Sequence, residues 1–447
     1  METVKISFKE KLGYGVGDLA SNFIWAGAST FLAFFYTDVV GLTAAAVGTL
    51  LLVARVLDAF VDIGVGMLIE KTKTRYGKAR PWLLWMAFPF GFAGFLLFTN
   101  PGWGEVGSLI FAYCTYLIVN IVYSGINVPY GVLNSRITQD PYDRSVLNIF
   151  RMFFAVVATI IVNMLTMPLV KTFGGGNTGW ATTYGLFSGI AVILFLVCFM
   201  NTKERVQPTV VRKEVDMKRG FKALFRNKYW KQLVLLMVIF YINGGVNAGV
   251  SIYYAQNVLN DAELVGALGL AGMVPVLIGF FLIAPFIKRF GKRNVSIAGL
   301  VISMIGCCIL IIDPTSLSIV IISTVIKSFG FVPLSATLFA MLADTVDYGE
   351  WKNGIRSEGL IYSGGSFGLK AGSGIGAGLV GWILAAGGYA GSKAQQTESA
   401  IASIQFMFIY LPIILCCCMI GILMFYKLDR EFPRVLADLE VIKNMKV

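Results

Sequence analysis

Between Ala54 and Lys71 the sequence reads ARVLDAFVDIGVGMLIEK, an apolar stretch carrying one arginine and two aspartates in its first half. On a helix Asp58 and Asp62 stand one turn apart on one face, and Arg55, three residues before Asp58, lies on the same side. In a bilayer each ionised side chain near a helix centre costs about 2.5 to 3.5 kcal/mol on insertion scales, so three in one segment require a compensating environment. Two carboxylates one turn apart repel unless a cation or a proton joins them. The chemistry on offer is reversible cation binding, with Arg55 either a counter-ion to the pair or a contact for a ligand.

The elements that must position this pair are membrane helices. The chain is 57% hydrophobic and 14% charged, with a mean hydropathy of +0.74, against about 25% charged residues in soluble domains. Runs of about 20 apolar residues occur twelve times, near 12–37, 44–70, 81–99, 106–135, 145–170, 180–201, 230–257, 264–287, 294–312, 317–343, 360–386 and 402–426. The expected fold class is an all-α membrane protein of twelve transmembrane helices. With the N-terminus in the cytoplasm, 31 of the 37 Lys and Arg fall on the cytoplasmic side, and only Lys171 and Lys393 fall outside. Arg55, Arg151, Lys327 and Lys370 lie in or at the edge of spans. This bias is the positive-inside rule with both termini cytoplasmic. The net charge of +12 is therefore topological and implies no nucleic-acid partner.

All seven cysteines fall inside predicted spans, without metal-site spacing, and the chain has no histidine. They read as buried, inert thiols, and no cofactor or metal beyond a coupling ion is expected. The first span is not a secretory signal, because Asp18 interrupts its apolar run. No Walker loop, His-metal cluster or activated nucleophile supports a membrane enzyme.

RYGK at Arg75 to Lys78 recurs as RFGK at Arg289 to Lys292, 214 residues later and after the eighth span instead of the second. The longest polar stretch, broken by Pro208, lies between the two halves. The expected organisation is a six-helix bundle over 1–201, a cytoplasmic linker over 202–229, a second six-helix bundle over 230–426 and a cytoplasmic tail over 427–447. Such parallel repeats describe the major facilitator architecture, whose substrate sites lie near the midplane between the halves.

Other polar residues inside spans mark candidate sites. Tyr123 and Asn127 are i and i+4, as are Ser366 and Lys370, so each pair can face a common cavity. Asn120, Asn243 and Asn247 read equally as interhelical hydrogen-bond glue. The glycine run KAGSGIGAGLVGW reads as close helix packing, and Asp18 as an organiser of the helix start. Lys327 either contributes charge to a cavity or pairs structurally. In ADTVDYGEWKNGIR, Asp344, Asp347, Glu350 and Arg356 cluster in what reads as a cytoplasmic loop, and are expected to latch the two halves.

FFYTDVVGL, GTLLLVARVLDAFVD, RYGKARPW, NVPYG and ADTVDYGEWKNGIRSEG resemble the glycoside, pentoside and hexuronide:cation symporters, nearly end to end, with most likeness to bacterial glucuronide carriers. The resemblance to the melibiose carrier implies that Asp58 and Asp62 hold the coupling cation, helped by a hydroxyl at Ser124. It places the sugar-binding acids of the first and fourth helices at Asn22 and Asn127. It also puts the eleventh-helix lysine at Lys370, with Ser366 at the nearby hydroxyl position, and a fifth-helix arginine near Arg151. A tryptophan of that site falls on Gly131, which removes a stacking surface. Tyr123 is expected to touch a sugar ring edge.

The departures carry physical information. Exchanging two aspartates for asparagines removes two negative charges. Arg55, Arg151, Lys327 and Lys370 against Asp58 and Asp62 then leave an excess of two positive charges. That balance suits an anionic hexuronide, whose carboxylate could pair with Lys370 or Arg151. The position between the two aspartates that supplies an oxygen in the melibiose carrier is Val61 here, which favours the proton over sodium at Asp58 and Asp62. The expected function is cation-coupled uptake of a glycoside, first of all a glucuronide or other hexuronide, by a monomeric transporter of the bacterial inner membrane. The alternative substrates are neutral glycosides or pentosides.

Overall fold

The computed structural model describes residues 6–138, 140–206, 224–353, 358–393 and 395–444. Among these the chain is helical almost throughout. The first six helices are α1 (Phe8–Phe34), α2 (Ala44–Lys71), α3 (Arg80–Leu97), α4 (Gly104–Ile137), α5 (Pro141–Thr172) and α6 (Gly176–Asn201). There follow α7 (Lys228–Asn257), α8 (Val265–Phe290), α9 (Lys292–Leu310), α10 (Leu317–Asn353) and α11 (Glu358–Ala386). The last span is α12 (Glu398–Gln405) and α13 (Leu411–Phe425), joined by a π-helical turn over Phe406–Tyr410, and α14 (Leu428–Asn444) closes the chain. Eleven of the helical segments are long and apolar enough to cross a membrane. The other long one is α2, whose 28 residues suffice for a crossing and whose apolar run is interrupted by Arg55, Asp58 and Asp62.

The repeated RYGK and RFGK motifs fold alike. In the first, Gly77 turns the chain at φ +107°, and the Glu204 carboxylate accepts from the backbone N–H of Lys78, Ala79 and Arg80 at 3.0, 2.7 and 2.8 Å. In the second, Gly291 turns the chain at φ +80°, and Asp429 Oδ2 accepts from the backbone N–H of Arg293 at 2.8 Å. Each acid arrives from the segment just after the last span of its half and satisfies donors that a helix start leaves unpaired, where the helix dipole favours negative charge.

The chain divides into two compact units. Taken over their described residues, the first comprises Met1–Val210, Ala248–Gly269 and Ala377–Ser403, and the second Val211–Asn247, Leu270–Gly376 and Ile404–Val447. In the first unit α1 packs on α5 and α6, α3 on α4 and α6, and α2 on α4. This unit also takes in the far ends of α7 and α11. There Thr37 Oγ1 lies 2.8 Å from the Tyr253 hydroxyl, and the Tyr389 hydroxyl donates to Asp38 Oδ1 at 2.7 Å. Burial first, and the Asp38 charge next, push the Tyr389 phenol above its ordinary pKa, so it stays a donor.

In the second unit α9 and α10 make the closest pairing, and a Cβ on Gly299 would meet the Gly330 carbonyl oxygen at 2.5 Å. The glycine run of α11 does what was expected of it: a Cβ on Gly372 or Gly376 would come within 2.5 Å of a backbone oxygen of α7. Three cysteines, Cys198, Cys307 and Cys416, are buried as expected, but Cys114, Cys308, Cys417 and Cys418 are exposed. Their apolar surroundings in the sequence hid which way each points.

One further expectation needs correction. DTVDYGEW is no loop: α10 continues to Asn353, ten residues past the predicted span, because its acids stand on a polar extension of the same helix.

Candidate functional site

The acid pair meets its hydroxyl. α2 presents Asp58, 3% exposed, and the half-buried Asp62 toward α4, which presents Ser124, 1% exposed. Ser124 Oγ lies 2.9 Å from Asp58 Oδ1 and 2.6 Å from Asp62 Oδ1. A serine hydroxyl has one hydrogen to give, so only one of these contacts can be its donated bond. The other brings two lone-pair oxygens together unless one carboxyl carries a proton or a cation sits among the three oxygens. The arrangement can hold a cation or a proton among its three oxygens. Val61, between the acids, packs instead against the small apolar cluster of Val65, Ile69 and Trp82 and brings no oxygen.

Arg55 takes an aromatic face. Its guanidinium carbon lies 4.1 Å from the centroid of the Trp25 ring, and the Trp25 and Tyr123 rings stack at 4.3 Å with 9° between their planes. A cation over an indole contributes up to about 2 kcal/mol when desolvated. The stack ties α1, α2 and α4 together beside the acid pair. Tyr123 is thus a partner of Trp25, a residue the sequence reading passed over although it lies three positions after Asn22.

Arg151 is held by Asp18. Nε donates to Oδ2 at 2.6 Å and Nη2 to Oδ1 at 3.4 Å, and the guanidinium also lies 4.5 Å from the Tyr130 ring centroid. Tyr130 and Tyr14 brace this pair by donating their hydroxyls to each other's backbone carbonyls at 2.6 and 3.2 Å. Asn22, one turn along, donates Nδ2 to the Asp18 carbonyl at 2.9 Å. Asn127 is half-buried, one turn after Tyr123. Asp18 is therefore a partner of an intramembrane cation, and the signal for it was the i, i+4, i+7 series Asp18, Asn22, Trp25.

Asn120 and Asn247 first satisfy their own helices. Asn120 Nδ2 donates to the Tyr116 carbonyl at 2.7 Å, and Asn247 Nδ2 donates to the Asn243 carbonyl and Oδ1 at 2.8 and 3.1 Å. In the second unit Lys327, 5% exposed, donates Nζ to Asn247 Oδ1 at 2.9 Å and lies 4.3 Å from the Phe408 ring centroid. Burying an ammonium costs several kcal/mol. The cation–π contact returns about 2 kcal/mol and a charge-assisted hydrogen bond about 1.5 to 3, so the two sides nearly offset. Lys370 is half-buried and Ser366 exposed, one turn apart on α11.

Of the expected latch, Asp344 is 8% exposed and accepts from Lys292 Nζ at 2.5 Å, a contact inside the second unit. Nearby Trp351 Nε1 donates to Asp438 Oδ2 at 3.0 Å. Asp347 and Glu350 lie on the last turns of α10, and Arg356 lies outside the described residues.

Twelve-span architecture, a repeated capping motif and an intramembrane carboxylate pair define a secondary transporter. The fold matches solved transporters at low identity: a nucleoside transporter (TM-score 0.68, 13% identical, covering 92% of this chain and 99% of that one) and a bacterial homologue of the human lysosomal transporter Spinster (TM-score 0.67, 15% identical, covering 95% and 96%). The chain belongs to the family of MFS/sugar transport proteins, whose profile matches residues 13–430. It is 37% identical to an isoprimeverose transporter of Lactiplantibacillus pentosus, over 97% of this chain and 92% of that one. It is 33% identical to a putative glycoside/cation symporter of Escherichia coli, over 95% and 93%, and 30% identical to a glucuronide carrier protein homologue of the same species, over 99% and 97%. It is a multi-pass, cation-coupled sugar transporter and not an enzyme.

Proposed function

We propose that the coupling ion is a proton, that it binds at Asp58, Asp62 and Ser124, and that the cargo is an uncharged glycoside taken up across a bacterial inner membrane with both termini cytoplasmic. The observation that carries the ion site is the short contact of one serine hydroxyl with both carboxylates. Val61 withholds the further oxygen that sodium, with its need for several oxygen ligands, would use.

The cargo reading rests first on the isoprimeverose transporter among the relatives, isoprimeverose being an uncharged disaccharide, and the charge balance weighs less for an anion than the sequence alone suggested. The excess of two positive charges that suggested a hexuronide omitted Asp18. With Asp18 bound to Arg151 the excess falls to one, and Arg151 already has a carboxylate. Asn22 and Asn127 remain as readers of sugar hydroxyls, with Lys370 and Ser366 on α11.

Uptake of a labelled neutral glycoside and a labelled glucuronide by cells making the protein tests this reading. The neutral sugar should accumulate, an uncoupler should abolish accumulation, and a sodium gradient should not restore it. Preferential glucuronide uptake would return the substrate to the hexuronides, and sodium-driven uptake would overturn the proton.

A further inference from the structure

Lys327 lies on α10 in the second unit, far along the chain from the carboxylate pair. Its backbone is pressed against α9, where a Cβ on Gly306 would meet Lys327 N at 2.7 Å. This closeness fixes where the side chain emerges. The groups facing the ammonium come from each element packed around it. Asn247 comes from α7 and the ring of Phe408 from the π turn, while the thiols of Cys307 on α9 and Cys416 on α13 are the titratable groups near enough to act on its charge. Among the described residues no carboxylate lies within ion-pair distance of Lys327. One turn away the Thr324 hydroxyl, and on α9 the Ser303 hydroxyl, are buried without hydrogen-bond partners, so the neighbourhood already holds polar groups that water would satisfy.

An ammonium has three hydrogens and nothing to accept with. The atom of Asn247 facing it is therefore the amide oxygen, and the amino group is left to face Asn243, as observed. The charge of Lys327 thus depends on one amide oxygen, borne by a half-buried side chain, and on one aromatic face. A π turn inside a membrane helix is a frequent mark of a functional position, and here it presents that aromatic face.

We propose that Lys327 is a second proton-exchanging group of the transport cycle, its charge following the orientation of the Asn247 amide. When Asn247 turns its oxygen away from the lysine, an Nζ–H bond breaks, its electron pair stays on nitrogen, and the proton leaves on water. When the amide returns, Nζ takes a proton back. The inference rests on the proton-coupled reading above and extends it to a group in the other unit.

Two substitutions separate the alternatives, because arginine does not deprotonate in proteins and glutamine carries no charge. Under the proposal both Lys327→Arg and Lys327→Gln keep sugar counterflow, which needs no net proton movement, and lose uphill accumulation. Full accumulation by Lys327→Arg would show a fixed structural cation and overturn the proposal, as would full accumulation by Lys327→Gln. A second measurement does not depend on those variants folding: sugar added to purified Asp58→Asn/Asp62→Asn protein in weak buffer should still change the pH of the medium. No pH change there would also overturn the proposal. Uncoupler-insensitive accumulation by the wild type would instead remove the proton-coupled reading itself.

Discussion

In the first unit Asp18 is matched with Arg151, Arg55 with the Trp25 ring, and Asp58 and Asp62 meet at Ser124. In the second unit Lys327 has an amide oxygen and a phenyl ring. The first arrangement contains acids and can therefore admit a cation. The second contains only a base and can change charge only by losing its proton. The difference teaches that intramembrane charge is tolerated in two ways here, by pairing and by near-cancellation of opposing terms, and that the two respond differently to substitution.

Breaking the pairing should give the largest effect on stability. Asp18→Asn leaves Arg151 without its carboxylate at a site where the two side chains are 13% and 23% exposed, and should destabilise the protein by about 3 kcal/mol. Combining it with Arg151→Gln should recover most of that loss in a denaturation series in detergent. Equal destabilisation by single and double variants would show that the pair is not a unit. Next, Ser124→Ala removes a hydrogen bond donated to a charged carboxylate, worth about 1.5 to 3 kcal/mol, and so disfavours the ionised form: the pair should hold its proton at least about tenfold more tightly. The pH dependence of sugar uptake reads this shift, and Ser124→Thr should restore it.

The aromatic stack is a smaller wager. Replacing Trp25 by Leu should lose about 1 to 2 kcal/mol from the cation–π and stacking contacts. A double-mutant cycle with Arg55→Gln should show coupling of about 1 kcal/mol, and additive losses would place Arg55 elsewhere. Smallest are the two helix caps. Glu204→Ala, which removes an acceptor of three backbone N–H groups, should cost about 1 kcal/mol. Asp429→Ala, which removes an acceptor of one, should cost less. The reverse order would break the likeness between the repeated motifs.

Much of this was legible in the sequence, for reasons particular residues make plain. Long apolar runs and the lysine and arginine bias marked the spans. RYGK and RFGK marked the repeat, because each needs a glycine turn at a helix start. Asp58 and Asp62 were legible because carboxylates one turn apart in an apolar run have few structural explanations. What escaped was partnership across helices. Nothing local to Asp18 says that Arg151, 133 residues on, will reach it, and the charge count that favoured an anionic sugar failed to include it. Trp25 looked like any membrane aromatic until Arg55 and Tyr123 took its two neighbouring positions. The helical continuation to Asn353 was hidden because its acids end an apolar run without ending the helix.

The central claim is that the carboxylate pair of α2 carries the coupling proton, and sugar-driven proton entry tests it most directly. In de-energised vesicles, adding the transported glycoside to wild-type protein should draw protons inward and alkalinise the medium. Asp62→Asn should show none of this sugar-driven proton entry while still exchanging labelled for unlabelled sugar. Undiminished proton entry in Asp62→Asn, with exchange intact, would contradict the account.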